Sequence, residues 1–296
     1  MPHARLFMPM KSRNTKTSSA TTGKDVSSRP SSTQKSTWQP QCRQSSEANT
    51  EHVTGMSGST NSNPVGQMFD RIAPAYDILN HLLSFGRDFS WRCRLADAIV
   101  KNEKLRVLDL ATGTGDILIT LLDRNPNIAE AVGLDISENM LAICRRKIVR
   151  RKLADRVSLV RADASTCGLA GESFDVVTMG FGIRNTPDAF KTLTEIRRLL
   201  KPGGTALILE FSMPASRILR SFYLSYLRFF VPLLGRLLSG NNHAYRYLDK
   251  SIENFHRADD FRRLMQKAGF SDVSATPLTF SVACLYQGTR PDESND

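Results

Sequence analysis

The residues best suited to chemistry are glycines and carboxylates at the ends of apolar runs. The stretch Asp109-Leu110-Ala111-Thr112-Gly113-Thr114-Gly115-Asp116 closes one such run and leads into an amphipathic segment. Glycines there let the backbone come within contact distance of a ligand and turn sharply into a helix. About twenty residues later a second run ends at Asp135, a carboxylate able to accept from a ribose diol. A third is followed by Asp163-Ala164, an acid for an exocyclic amine and a backbone amide for a ring nitrogen. Two cofactor classes use this layout. A dinucleotide fingerprint, GxGxxG, requires a third glycine where Leu118 stands. Asp109 and Asp116 would repel a pyrophosphate but suit the cationic amino-acid part of S-adenosylmethionine, which is therefore favoured over NAD. The blander alternatives are a loop-bracing Asp109 and a loop-capping Asp163.

After the fourth run stands Met179-Gly180-Phe181-Gly182-Ile183-Arg184-Asn185. It lacks the (D/N)PP(Y/F) motif with which methyltransferases hold an exocyclic amine. Its small, apolar and cationic character fits an aromatic ring carrying a developing negative oxygen. His and Cys show no metal-ligand spacing, so no metal is expected. Of the five histidines, His243 is the most site-like by position.

The elements that must position these residues alternate. Residues 64–100 carry apolar side chains at helical spacing. Strands are expected at Leu105–Ala111, Glu130–Asp135, Arg156–Ala162, Phe174–Met179 and Thr205–Phe211. Helices are expected at Ser137–Lys152, with Ser137 as N-cap, at Pro187–Leu200 before Lys201-Pro202-Gly203-Gly204, and at Asp259–Ala268. Val273–Pro277 and Phe280–Tyr286 read as two closely joined antiparallel strands. Apolar strands alternating with helices mean a parallel sheet covered on both faces, here with an antiparallel addition.

Between Met213 and Lys250 lies an insertion rich in Phe, Tyr and Leu, interrupted by Arg217, Arg220, Arg228 and Arg236 and broken by Pro232. Those arginines argue against a membrane span. The segment reads as an amphipathic cover over a greasy substrate tail, a segment on a bilayer surface, or a helical hairpin packed on the core.

Residues 1–63 differ from the rest. About a third are Ser or Thr, large apolar residues are scarce, and about five of the chain's eleven net positive charges lie here. Such a segment cannot offset its ordering entropy and is expected to be disordered, as are residues 291–296. A transit peptide, a bacterial extension and an upstream start with Met56 as first residue are the three readings. Import into an organelle is the weaker one, because no Arg-rich amphipathic helix is present. The folded part is only mildly basic, which weakens the case for a nucleic-acid partner. The five cysteines lack a CxxC pair and read as free thiols of a reducing compartment.

These residues resemble the quinone-biosynthesis C-methyltransferases. The stretches carrying the resemblance are MFDRIAPAYDILNHLLSFGRDFSWR (68–92), VLDLATGTGD (107–116), GLDISENML (133–141), SFDVVTMGFGIRN (173–185), LLKPGG (199–204), LEFSMP (209–214) and AYRYLDKSIENF (244–255). The resemblance implies a class I S-adenosylmethionine-dependent methyltransferase fold: a Rossmann-like, mixed seven-stranded sheet with helices on both faces. The methyltransferase domain would span 64–290, with an N-terminal helical cap over 64–104 and a helical insertion over 213–250. It implies cofactor contacts at Thr114, Asp135, Asp163 and Ala164, beside the loop residues Asp109, Gly113 and Gly115. Gly180 stands where such proteins often have serine, so its contact would fall to the backbone. It implies C-methylation of a prenylated quinol, demethylmenaquinol first and a ubiquinone precursor second, by a cytoplasmic protein that contacts the inner membrane peripherally.

Carbon becomes the nucleophile when a neighbouring ring hydroxyl ionises, and a phenol with a pKa near 10 needs help to do so at neutral pH. An arginine is a poor base but a good stabiliser of an oxyanion. Arg184 is therefore expected to stabilise the quinolate, a structural ion pair being the alternative, and Asn185 to orient the ring oxygen. Tyr76 and Asp77 are expected to close over the site, or else to pack and cap helices. Tyr245 and Tyr247 are expected to line it.

Overall fold

The computed structural model describes residues 64–99, 104–214, 216–230 and 251–292, all within one compact unit. The expectations for 1–63, for 293–296 and for most of the insertion, with His243, Tyr245 and Tyr247, lie outside the described residues.

Seven strands form one sheet: β1 (Leu105–Leu110), β2 (Ile128–Asp135), β3 (Val157–Arg161), β4 (Phe174–Gly180), β5 (Leu200–Phe211), β6 (Ser271–Leu278) and β7 (Ala283–Thr289). Their order is β3-β2-β1-β4-β5-β7-β6. The first five pair in parallel, and β7 pairs antiparallel with both β5 and β6. Strand order reverses between β1 and β4, so the crevice outside their carboxyl ends is where ligands bind in such sheets.

The α-helices that lie wholly within the described residues are α1 (Pro64–Ile72), α2 (Tyr76–Leu83), α3 (Arg87–Asp97), α4 (Asp116–Arg124), α5 (Glu138–Arg150), α6 (Ala189–Leu199), α7 (Arg217–Ser225) and α8 (Ala258–Lys267). Trp91, Leu95, Leu118, Leu121 and Ile148 of α3, α4 and α5 bury one face of the sheet. Leu193, Ile196, Phe261 and Met265 of α6 and α8 bury the other. Burying a leucine fully contributes about 1.5–3 kcal/mol, so these two layers outweigh any loop contact in holding the crevice open. Ser137 caps α5 as expected, its hydroxyl accepting from the Met140 amide at 3.2 Å.

Three expectations shift. The N-terminal helical stretch divides into α1, a 3-10 turn over Ala73–Ala75, α2 and α3. Lys201-Pro202-Gly203-Gly204 follows α6 but forms the irregular start of β5, where the register with β4 slips. The last strand begins at Ala283 rather than Phe280, because Thr279, Phe280 and Ser281 all take left-handed backbone angles (φ 43, 55 and 66°). Such a run cannot continue a pleated strand.

Candidate active site

Two adjoining cavities open at the reversal point. The smaller, about 80 Å³, is lined by Gly113, Asp135, Ile136, Met140, Asp163, Ala164, Gly180 and Asn185. The larger, about 480 Å³, is lined by Tyr76, Trp91, Thr114, Phe181, Arg184, Phe211 and Phe222 among others. They share Phe69, Tyr76, Ala111, Gly113, Gly180, Phe181 and Asn185, so a group seated in one faces a group seated in the other.

The smaller cavity is polar on one side. Asp135 ends β2 and is buried. One oxygen accepts from the Gly113 amide at 2.8 Å and the other from the Ser137 amide at 2.9 Å. The Ile136 amide adds to these, and the remaining lone-pair capacity is left for a ligand hydroxyl. Burial raises the Asp135 carboxyl against those amides, which favour its anion. Asp163 accepts from the Ser165 amide at 2.8 Å and hydroxyl at 2.6 Å, both on the same oxygen. Its other oxygen is left for a ligand. Gly113 has φ 56°, and a side chain there would extend toward Tyr76, 3.9 Å away.

Two loop residues expected to touch the cofactor do not line either cavity. Asp109 is buried, and its oxygens accept from Thr112 and Thr178, each at 2.6 Å. It braces the loop from beneath. Gly115 faces α5 instead: a Cβ there would lie 2.4 Å from Cys144 Sγ. Thr114 does line the larger cavity, but its hydroxyl donates to Asp77 at 2.6 Å. Lys147 reaches Thr114 at 3.1 Å and Asp77 and Asp116 each at 2.6 Å. Arg92 continues the chain from Asp116 (2.6 Å) to Asp88 (2.9 Å). Asp116 is thus spent on cations of the protein itself. Gly180 lines both cavities, and a Cβ on it would lie 1.9 Å from Ile117 Cδ1. That side chain takes the space a serine would need.

The larger cavity is mostly apolar. Phe181 and Phe211 stand 4.7 Å apart, and Trp91 faces both at 6.1 and 6.2 Å. Arg184 lies over Phe211, 5.1 Å from its ring centre. The short 3-10 turn over Ile183–Asn185 sets Arg184 and Asn185 side by side at the seam between the cavities. One terminal nitrogen of Arg184 donates to Glu210 at 2.6 Å and to the Phe181 carbonyl at 2.7 Å. Asn185 Nδ2 donates to that same carbonyl at 3.2 Å. Arg184 Nε and Asn185 Oδ1 are buried without a protein partner. Buried polar atoms of this kind are rare and mark a place for a ligand or water. Tyr76 faces them from α2; burial raises its hydroxyl, while Asn80 and Arg184 pull it down.

Residues 56–290 match the ubiE/COQ5 methyltransferase family. The chain belongs to that family. Among its relatives, the demethylmenaquinone methyltransferase of Thermus thermophilus is 46% identical over 76% of this chain and 100% of its own length. The ubiquinone/menaquinone biosynthesis C-methyltransferase UbiE of Geobacter sulfurreducens is 41% identical over 76% of this chain and 88% of its own. Among solved structures, an O-methyltransferase family protein from Burkholderia thailandensis aligns with a TM-score of 0.56 at 19% identity, over 76% of this chain and 62% of its own. That last likeness concerns the fold alone, the class I S-adenosylmethionine-dependent methyltransferase sheet.

Arg184 makes the ion pair expected as its alternative role; its partner Glu210, the aromatic trio and the Lys147 network escaped the reading of the sequence. Phe181, Phe211 and Glu210 sit at strand ends, where their alternation already signals a sheet. Only strand order tells which side of the crevice they reach.

Proposed function

We propose that this chain transfers a methyl group from S-adenosylmethionine to a ring carbon of a prenylated quinol. Demethylmenaquinol is the first substrate to test, and the benzoquinol precursor of ubiquinone the second, since relatives are named for each. The observation that carries the reading is the seam at Gly180–Asn185. There a cavity bearing two carboxylates meets an aromatic cavity at a buried donor and a buried acceptor that lack protein partners.

The residues present fit the methyl donor. Asp135 would hold the ribose hydroxyls, and Asp163 with the Ala164 amide the adenine edge. Gly113 gives the backbone close approach at the seam. S-adenosylmethionine supplies a methyl group already activated on a sulfonium. What the protein adds is position and a dry, charged surface. Phe181, Phe211 and Trp91 stack on a flat ring. Arg184 Nε–H donates to a ring oxygen and lowers the cost of its ionisation. Asn185 Oδ1 accepts from a second hydroxyl and fixes the rotation of the ring. Tyr76 closes the seam from above, and the proton released leaves to water through the cavity mouth.

The mouth suits a hydrocarbon tail. Phe85, Phe222 and Phe280 line it and are each more than 70% exposed; Ile218 and Phe229 of the same region are equally exposed. Among the described residues no helix is long and apolar enough to cross a membrane. A peripheral seat, with these side chains against the bilayer and the tail entering from it, reconciles the two.

The test is incubation of the purified chain with labelled S-adenosylmethionine and a reduced short-chain demethylmenaquinone, run beside the ubiquinone precursor. Label in the quinone fraction is expected. Label in neither, with S-adenosylhomocysteine still bound, would overturn the substrate class.

A further inference from the structure

Glu210 is the penultimate residue of β5, pairing with Cys284 of β7, and is fully buried. It lines neither cavity, so it cannot touch a substrate. Its contacts all point one way. One oxygen accepts from Arg184 at 2.6 Å and from the Phe211 amide at 2.8 Å; the other faces the Arg184 backbone amide at 3.4 Å. The Arg184 side chain is only 6% exposed and Glu210 0%. A buried carboxylate held this way is costly unless its partner is fixed by it. The partner here is a cation at the seam between the cavities, and the contact consumes one end of the guanidinium while leaving Nε without a protein partner.

We propose that Glu210 is a positioning residue for the methyl-transfer site: it locks the Arg184 guanidinium with Nε toward the ring and sets how much positive charge a ring oxygen meets. The proposal rests on the reading that Arg184 faces an ionising hydroxyl. The physical argument is one of balance. A free arginine in a cavity of low polarity would swing to the nearest anion or to water. Pinned by Glu210 and by the Phe181 carbonyl, it keeps one geometry, and its charge is partly cancelled from behind. The site then receives a neutral quinol without a large desolvation cost, yet still favours the quinolate over bulk water. Burial raises the Glu210 carboxyl and Arg184 pulls it back. Among the described residues, the other titratable groups facing the pair are Tyr76 from α2 and Cys284 and Tyr286 from β7, all raised by burial and neutral at working pH.

A chromogenic phenol, 4-nitrophenol, reads this directly, because only its phenolate absorbs in the violet. Bound in the larger cavity of the full chain, it should titrate below its free value in the wild type, and at its free value or above in R184Q. In E210Q the arginine loses its counter-charge, so the bound phenol should titrate about one pKa unit lower still. At the same time kcat for the quinol should fall at least tenfold, with KM within about threefold, because the guanidinium is no longer held. E210D keeps the charge but draws it back by a methylene, so the phenol titration should fall part of the way toward that of E210Q, and kcat should fall with it. Binding of S-adenosylhomocysteine with unchanged affinity certifies the fold of each variant, and E210D stands in if E210Q does not fold. A loss of kcat in E210Q with the phenol titration unmoved means a merely structural role and overturns the proposal. So does a variant with both quantities at wild-type values. If the wild type fails to methylate either quinol while the phenol titrations behave as stated, the substrate reading falls and the role of Glu210 stands.

Discussion

The Thr114 hydroxyl donates to Asp77 at 2.6 Å and so ties the glycine loop to α2, the helix that carries Tyr76. Lys147 of α5 clamps both, and Asp116 of α4 completes the set. Four elements thus meet at one partly exposed ion cluster beside the larger cavity, which Thr114 and Asp116 line. Replacing Asp77 with alanine removes the only acid that α2 contributes to it. The global cost should be about 1 kcal/mol, since the pair is not deeply buried. The local effect should be larger. Amide exchange over residues 64–83 should accelerate at least tenfold, with β1, β2 and β4 unchanged. Equal protection of α1 and α2 in both proteins would mean that packing alone holds them.

Arg184 separates two kinds of loss. Arg184→Lys keeps a charge but cannot serve Glu210, the Phe181 carbonyl and the ring oxygen at once. Its kcat should fall by about 100-fold. Arg184→Ala should lose as much or more, and should also cost about 3–5 kcal/mol of stability by stranding buried Glu210. In both, affinity for S-adenosylhomocysteine should stay within about twofold, because no cofactor-side residue is touched. Calorimetry with that product beside steady-state turnover makes the distinction. A collapse of cofactor binding in Arg184→Lys would move Arg184 to the other cavity.

The strands were legible because parallel strands buried on both faces read as unbroken apolar runs. Asp135 and Asp163 were legible for a related reason: a polar residue ending such a run must sit at the sheet's carboxyl edge. Gly115 and Asp109 were misplaced because spacing does not tell which way a loop residue faces. Gly115 turns to α5, and Asp109 still lies in the strand, under its own loop. Glu210 was invisible for the opposite reason. It sits inside an apolar strand and meets an arginine 26 positions away, a pairing that only the β4–β5 contact creates.

Gly115 is a packing glycine with a measurable cost of replacement. Its φ is 86°, and Cys144 Sγ occupies the space a Cβ would take, 2.4 Å away. Gly115→Ala carries both a left-handed backbone penalty and an overpacked helix contact, together about 2–4 kcal/mol. Removing the sulfur with Cys144→Ala should return part of that but not the backbone share. A double-mutant cycle in urea should therefore show a coupling of about 1–2 kcal/mol between the two positions. Additivity would place the whole penalty in the backbone.

Asp109 makes stability depend on pH in a direction unusual for a carboxylate. Burial lifts it from 3.8 to about 6, opposed by the Thr112 and Thr178 hydroxyls and aided by nearby Asp135. The folded chain then binds this proton more tightly than the unfolded chain does. The stability it contributes is fully present below about 3.8 and is lost as pH rises through about 6. Asp109→Asn is neutral throughout and lacks that slope. The stability of the wild type relative to the variant should therefore drop by about 2 kcal/mol between about pH 4 and pH 7. Asp88 and Glu195, whose carboxyls are lowered, act in the opposite sense but are common to both proteins and cancel in the difference. Urea titrations of the two chains across this range measure it. A flat difference would mean that Asp109 stays ionised under the sheet, with the two threonines carrying the anion at no cost to the fold.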